Sequence, residues 1–320
     1  MRDGAAIEPV SMDRPGAPGV AAGGDGAPGI ALAIPDRRMG EPRSVAYYAG
    51  KRFLRQRLAM VGLVITLFLI ILGFGAPLLA PTGYAEADLM SANQFPTREH
   101  LLGTDTIGHD FLSRVMYGTR TSLMVGFAAV AVACLVGLPL GLAAGLYGGW
   151  VDFAVMRLVE VMTAFPGLLF AIFLMTVVGA GVGNIILVIG ITSWVTLCRL
   201  MRAQLLLLRE QEYVVAARGI GASEWTIATR HLLPNAIAPL IVSVSLAIPI
   251  AIFAEAGLSY LGIGINEPTP SLGKMVADSA PYIRVYWHLG LFPTLAIALI
   301  MLGFTFVGDG LRDALDPRQI

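Results

Sequence analysis

The chain has 320 residues, of which 56% are hydrophobic and 14% charged, and its formal net charge is zero. A soluble domain carries about a quarter charged residues. This balance, with a mean hydropathy of +0.73, therefore excludes an ordinary soluble globular protein and points to a polytopic membrane protein. Zero net charge gives no bulk attraction to nucleic acid. The two cysteines, Cys134 and Cys198, lie in apolar runs and read as small buried hydrophobes, not as a disulfide or a metal pair.

Residues 1–44 are rich in Gly, Ala and Pro without apolar periodicity, so no fold is expected there and the segment reads as a disordered tail. No apolar core follows the first few residues, and a cleaved signal peptide is not expected. Residues 45–57 read as a basic amphipathic helix lying against the membrane before the first span. Residues 58–320 then form a six-helix transmembrane domain. A hydrocarbon core needs about 20 apolar residues per helix. By that criterion the spans fall near 58–79, 122–147, 153–178, 184–205, 236–261 and 289–307.

Lys and Arg set the orientation. With the N-terminus inside, the inner segments hold seventeen and the outer segments five, namely Arg98, Arg114, Arg120, Lys274 and Arg284. The excess survives without the first 44 residues. Both termini and the loop at 199–235 are thus expected in the cytoplasm.

The outer loop at 101–123 has Leu102, Ile107, Phe111 and Val115 near helical spacing, so part of it is expected to be an amphipathic helix. Its Asp105, His109 and Asp110 match no specific metal-site spacing and read as solvated groups, and no metal is expected. In the second span Gly137, Gly141 and Gly145 recur every four residues, a face on which a second helix backbone can approach closely. Pro139, Pro166, Pro239, Pro249 and Pro293 interrupt spans, and each is a candidate kink. Glu160 and Glu255 sit near helix ends, where a paired or snorkelling structural role is expected, and Arg199 and Arg202 reach the inner interface. No cluster of charges marks the membrane centre and no inverted repeat of broken helices is visible. Both features weigh against an ion-coupled transporter.

The polar interruption at 212–239, EYVVAARGIGASEWTIATRHLLPNAIAP, stands between two spans. It reads as a short helix, a glycine hinge at Gly219 and Gly221, and a second short helix. Pro234 is expected to end that second helix around His231–Leu233. Such a knob offers a docking surface to a soluble partner, and an ordinary amphipathic connector fits the same pattern.

The spacing of Ala216-Ala217, Gly221 and Leu233-Pro234 resembles the EAA loop of ABC-importer permease subunits. The general pattern has Glu before the alanines and Ile two residues before Leu-Pro, where Val215 and His231 stand here. That wording is similar to the dipeptide/oligopeptide/nickel branch, and ARGIGAS and RHLLPN match it almost verbatim. LGTDTIGHDFLSRVMYGTRTSL in the outer loop, PSLGKMVADSA at 270–280 and GDGLRDALDPR at 308–318 resemble the same branch. In the last of these Arg312 is spaced to pair with Asp309 and Asp316 before Pro317 closes the helix.

The resemblance implies a type I importer permease fold with a coupling loop at 209–235. There Ala216, Ala217, Arg218, Gly221, Ala222, Glu224, His231, Leu233 and Pro234 would face an ATPase. It also implies a bacterial inner-membrane location, a second related permease chain, two ATP-binding subunits and an extracytoplasmic binding protein. Peptides are the expected cargo, with nickel chelates, glutathione or oligosaccharides as alternatives. No catalytic residue is expected on this chain. Of its two lysines, Lys274 is followed by Met275 and preceded by Pro268 where a phosphate-cradling loop needs glycine, so ATP and Mg belong to the partners. A solitary secondary transporter or channel and a non-transporting membrane scaffold are the rival readings.

Overall fold

The computed structural model describes residues 45–316, so the tail at 1–44 and the closure by Pro317 lie outside the described residues. Apart from two isolated β-bridges, the described regular structure is helical. The helices are α1 (Val45–Phe53), α2 (Arg57–Phe74), α3 (Ala76–Leu79), α4 (Phe111–Tyr147), α5 (Gly149–Ala164), α6 (Gly167–Val178), α7 (Val182–Arg209), α8 (Glu212–Gly219), α9 (Glu224–Ile227), α10 (Leu233–Tyr260), α11 (Leu272–Ser279) and α12 (Trp287–Leu315).

Five stretches are long and apolar enough to cross a membrane: α2, α4, α7, the run Glu224–Tyr260 and α12. The pair α5 and α6 passes the same criterion jointly but is bent by 86°. Six spans are thus present if the bent pair counts as one. The expected straight third span is corrected at Pro166. Proline disfavours helical backbone at the residue before it. Phe165 accordingly sits in extended conformation (φ −100°, ψ 138°). Pro139, Pro239, Pro249 and Pro293, by contrast, lie inside continuous helices.

Two further boundaries move. The basic segment ends its helix at Phe53 and turns through residues 54–56, so Arg57 already belongs to α2. The amphipathic stretch of the 101–123 loop is not a separate helix. Asp110 caps α4 by accepting from Ser113 N, and the helix runs 37 residues from there. At 1.5 Å per residue that is about 55 Å, well beyond a bilayer core of about 30 Å.

The glycine ladder explains how α4 meets α7, the most extensive helix pair among the described residues. A Cβ at Gly137 would collide with Trp194 O, one at Gly141 with Cys198 O, and one at Gly145 would lie 2.8 Å from Leu205 Cβ. The ladder therefore packs backbone on backbone. From the other side, Gly190 of α7 admits Val132. α2 closes on α12 in the same way, with Gly62 against Phe306 and Gly303 against Thr66. Gln56 Nε2 donates to Asp313 Oδ2 at 2.9 Å and ties the end of α12 to the turn before α2.

Charges near the span ends are paired. Arg202 forks onto Asp152 across α5 and α7, and Arg199 Nη2 reaches Thr163 Oγ1 at 3.2 Å. Arg209 Nη1 donates to Gly145 O at 3.0 Å, satisfying a carbonyl in the last turn of α4. Glu160 pairs with Arg157 at the surface. Glu255 is paired but does not snorkel. It is fully buried and accepts from Ser122 (2.7 Å), Ser259 (2.9 Å) and Ser271 (2.7 Å).

Candidate functional site

The knob between α7 and α10 is built around a helix end. α8 terminates in a Schellman turn, in which Ala222 N donates to Ala217 O at 3.1 Å and Gly221 N donates to Arg218 O at 3.0 Å. The residue at the turn must take left-handed backbone, and Gly221 has φ +85°. Gly221 alone is therefore the hinge. Gly219, expected to share that role, is the last residue of α8. Ser223 then caps α9, its Oγ accepting from Thr226 N at 3.2 Å.

Across the turn Arg218 Nε and Nη2 donate to the two oxygens of Glu224 at 2.9 and 3.2 Å. The Glu224 carboxylate holds the Arg218 guanidinium above its usual value. The pair is half exposed, and pairs of that kind contribute about 0–1 kcal/mol.

The second helix of the knob does not end at Pro234. Ala228–Leu232 form a π-turn, with Leu233 N donating to Ala228 O, and the helix continues from Glu224 to Tyr260. The reason is local. Proline offers no N–H to the carbonyl four residues back and crowds it. One wider turn relieves that clash without breaking the helix. The expected helix end at His231–Leu233 is corrected accordingly.

The knob has an inner and an outer face. Val214, Ala217, Ile227, Ala228, Leu232 and Ala236 are buried in a cluster with Leu146, Met201, Leu205 and Leu240. Ala222 and Leu233 pack at its edge, so the smallness of Ala217 serves this internal contact. Ala216, Arg218, Gly221, Glu224 and Pro234 are exposed and His231 is half-buried beside Tyr213.

Sequence reasoning missed the apolar tip. Ile220 is 87% exposed and Trp225 63%, one on each side of the Gly221 turn, with Val215 and Tyr213 exposed nearby. The available signal was helical phase. With Val214 and Ala217 turned inward, Val215 must point out.

The opposite end of α4 carries a polar network. His109 Nδ1 lies 2.7 Å from Asp105 Oδ2 and 2.9 Å from Arg114 Nη1. The buried Arg114 also donates to Glu267 at 2.5 Å. Asp110 is engaged with His100 Nδ1 at 3.0 Å and with Ser113. Asp105, His109 and Asp110 therefore serve an arginine and a helix cap instead of standing solvated, and among the described residues no metal-binding group of three gathers. Asp105, Arg114, Glu267, Lys274 and Asp278 border a cleft of about 310 Å³.

Comparison with known proteins supplies the family. Residues 137–320 match the model of the binding-protein-dependent transport system inner membrane component, and residues 44–96 match the N-terminal TM domain of oligopeptide transport permease C. The chain is 42% identical to the dipeptide transport system permease protein DppC of Alkalihalophilus pseudofirmus, over 85% of this chain and 89% of that one. It is 40% identical to the glutathione transport system permease protein GsiD of Pectobacterium atrosepticum, over 84% and 89%. It is also 40% identical to the oligopeptide transport system permease protein OppC of Bacillus subtilis, over 83% and 88%. A solved structure of the MetNI methionine ABC transporter in inward-facing conformations shares the fold. Its TM-score is 0.51 at 19% identity, covering 63% of this chain and 96% of that one. The membrane-spanning helices, the buried glycine ladder and these matches agree, and the chain belongs to the binding-protein-dependent transport permeases, a non-catalytic membrane subunit of an ABC transport system.

Proposed function

We propose that this chain is one half of the path of an ATP-driven peptide importer, and that residues 209–235 couple it to a partner ATPase. The carrying observation is the apolar tip. Ile220 and Trp225 stand out from a knob whose base is sealed into the ends of α4, α7 and α10. Large exposed apolar groups away from the hydrocarbon core mark a protein contact. Motion of a docked ATPase would reach α10 without loss, because helix runs unbroken from Glu224 into the span.

The assembly is read as two related permease chains, two ATP-binding subunits carrying ATP and Mg, and an external binding protein. Both termini face the cytoplasm by the Lys/Arg asymmetry. Peptides are the cargo by similarity to dipeptide and oligopeptide permeases, and the glutathione permease at 40% identity favours a γ-linked tripeptide as the second reading.

The test is affinity purification of the tagged chain from native membranes with mass spectrometry of what accompanies it. The wild type is expected to bring a second permease and ATPases. Ile220→Asp and Trp225→Ala are expected to insert normally and lose the ATPases at least in part. Undiminished recovery of ATPases with both substitutions combined would overturn the coupling role, and a wild-type chain that purifies alone would overturn the assembly.

A further inference from the structure

Between α6, α7 and α10 lies a groove of about 740 Å³, and no charged side chain lines it. Its walls are mostly apolar, with aliphatic hydroxyls from Thr192, Ser193, Thr196 and Ser243 and the phenol of Tyr260 at its margin. In a membrane helix a hydroxyl ordinarily returns to the carbonyl three or four residues back. Thr192 does so, to Val188 O and Ile189 O, and so do Thr176, Ser245 and Thr294. Ser193, Thr196 and Ser243 make no hydrogen bond to any described residue. All three open into the same groove.

An unmet hydroxyl facing hydrocarbon is costly, and lipid tails offer nothing to satisfy it. These three groups need water or a hydrogen-bonding solute. Gly167 and Gly257 also line the groove, and a Cβ at either would stand in open space.

We propose that this groove is the chain's wall of the transport path, and that Ser193, Thr196 and Ser243 hydrogen-bond the passing solute. The inference rests on the reading of the chain as a peptide-importer permease and names the residues and chemistry of its path. A lining of hydroxyls without charge suits an amide-bearing backbone. It gripes neither a cationic nor an anionic side chain, so charge selection falls to other parts of the assembly.

The experiment uses the full assembly in membranes. Single cysteines replace Ser193, Thr196 and Ser243 in a background of Cys134→Ala and Cys198→Ala, with Val64→Cys, exposed on α2 away from the groove, as control. The probe is a small, charged, membrane-impermeant methanethiosulfonate. Thiolate formation needs water, so the three groove positions are expected to react on the order of 10-fold faster than the control. Their rates are also expected to change between nucleotide-free and vanadate-trapped states. Rates equal to the control would mean that lipid or a partner helix covers the groove, and would overturn the inference. Fast rates indifferent to nucleotide would mean a static crevice, and would overturn it too.

A second measurement tests the solute contact. Intact cells deplete short peptides from a casein digest, and Thr196→Val with Ser243→Ala is expected to slow depletion by about 2- to 10-fold, the worth of a typical hydrogen bond. Depletion at the wild-type rate overturns the contact. If the wild type depletes no peptide, the peptide reading has failed, while the labelling pattern still decides whether the groove faces the path.

Discussion

Gly219 and Gly221 stand two residues apart and carry opposite obligations. Gly221 has left-handed backbone and open space around the missing side chain, so its constraint is conformational and not steric. Gly221→Ala is expected to destabilise the knob by about 1–2 kcal/mol. Gly219 lies in α8 with equally open space, and Gly219→Ala is expected to stabilise it by about 0.5–1 kcal/mol. Hydrogen exchange at the amides of α8 reads both, and the two variants should move it in opposite directions. The sequence presented the two glycines alike. The difference lies in which carbonyls the following amides reach, and that depends on where α8 stops.

At the scale of the element, α4 and α7 are joined by absent side chains. Gly141→Leu would drive a side chain into the backbone of Cys198, which cannot move aside as a flexible side-chain tip could. Overpacking of this kind costs about 1–3 kcal/mol. Reduced yield of inserted protein and a lowered melting temperature of the purified assembly are the expected outcome, and unchanged values would show that the helices are not held where the ladder puts them. The four-residue glycine repeat was legible because its period equals about one helical turn. The lengths of the spans were legible for a similarly direct reason, the thickness of hydrocarbon. The breaks were not. Pro166 and Pro139 look equivalent as single residues, yet only Pro166 is followed by glycine, a dipeptide that favours a turn. Pro234 also read as a stop, whereas one π-turn accommodates it. The apolar tip of the knob was hidden for another reason, because Ile220 and Trp225 look like core until the phase of two short helices is known.

Across the whole molecule, Glu255 ties a serine of its own helix to two serines from other elements. Ser122 comes from α4, Ser259 from the end of α10, and Ser271 from the cap of α11. Glu255→Ala would leave three buried hydroxyls without their acceptor, at a cost of about 2–5 kcal/mol. Glu255→Gln keeps one carbonyl oxygen and is expected to lose less. Thermal melting of the assembly should rank wild type, Gln, then Ala, and an Ala variant as stable as wild type would remove Glu255 from this role. The glutamate was visible in the sequence, and Ser259 stands one helical turn on in the same helix, but Ser122 and Ser271 come from other elements and only the fold brings them to it.

The length of α4 has a consequence for how the two ends of the molecule communicate. One end sits in the cluster beneath the knob through Leu146, and the other holds Asp110 and Arg114 in the polar network beside Glu267. A single uninterrupted rod thus touches both, and a tilt of about 10° around its midpoint would sweep each end by roughly 5 Å at the helical rise. Lodged against α7 by its glycines, such a rod, if tilted as a unit, would carry the same angle to both of its ends with no relay of side chains in between.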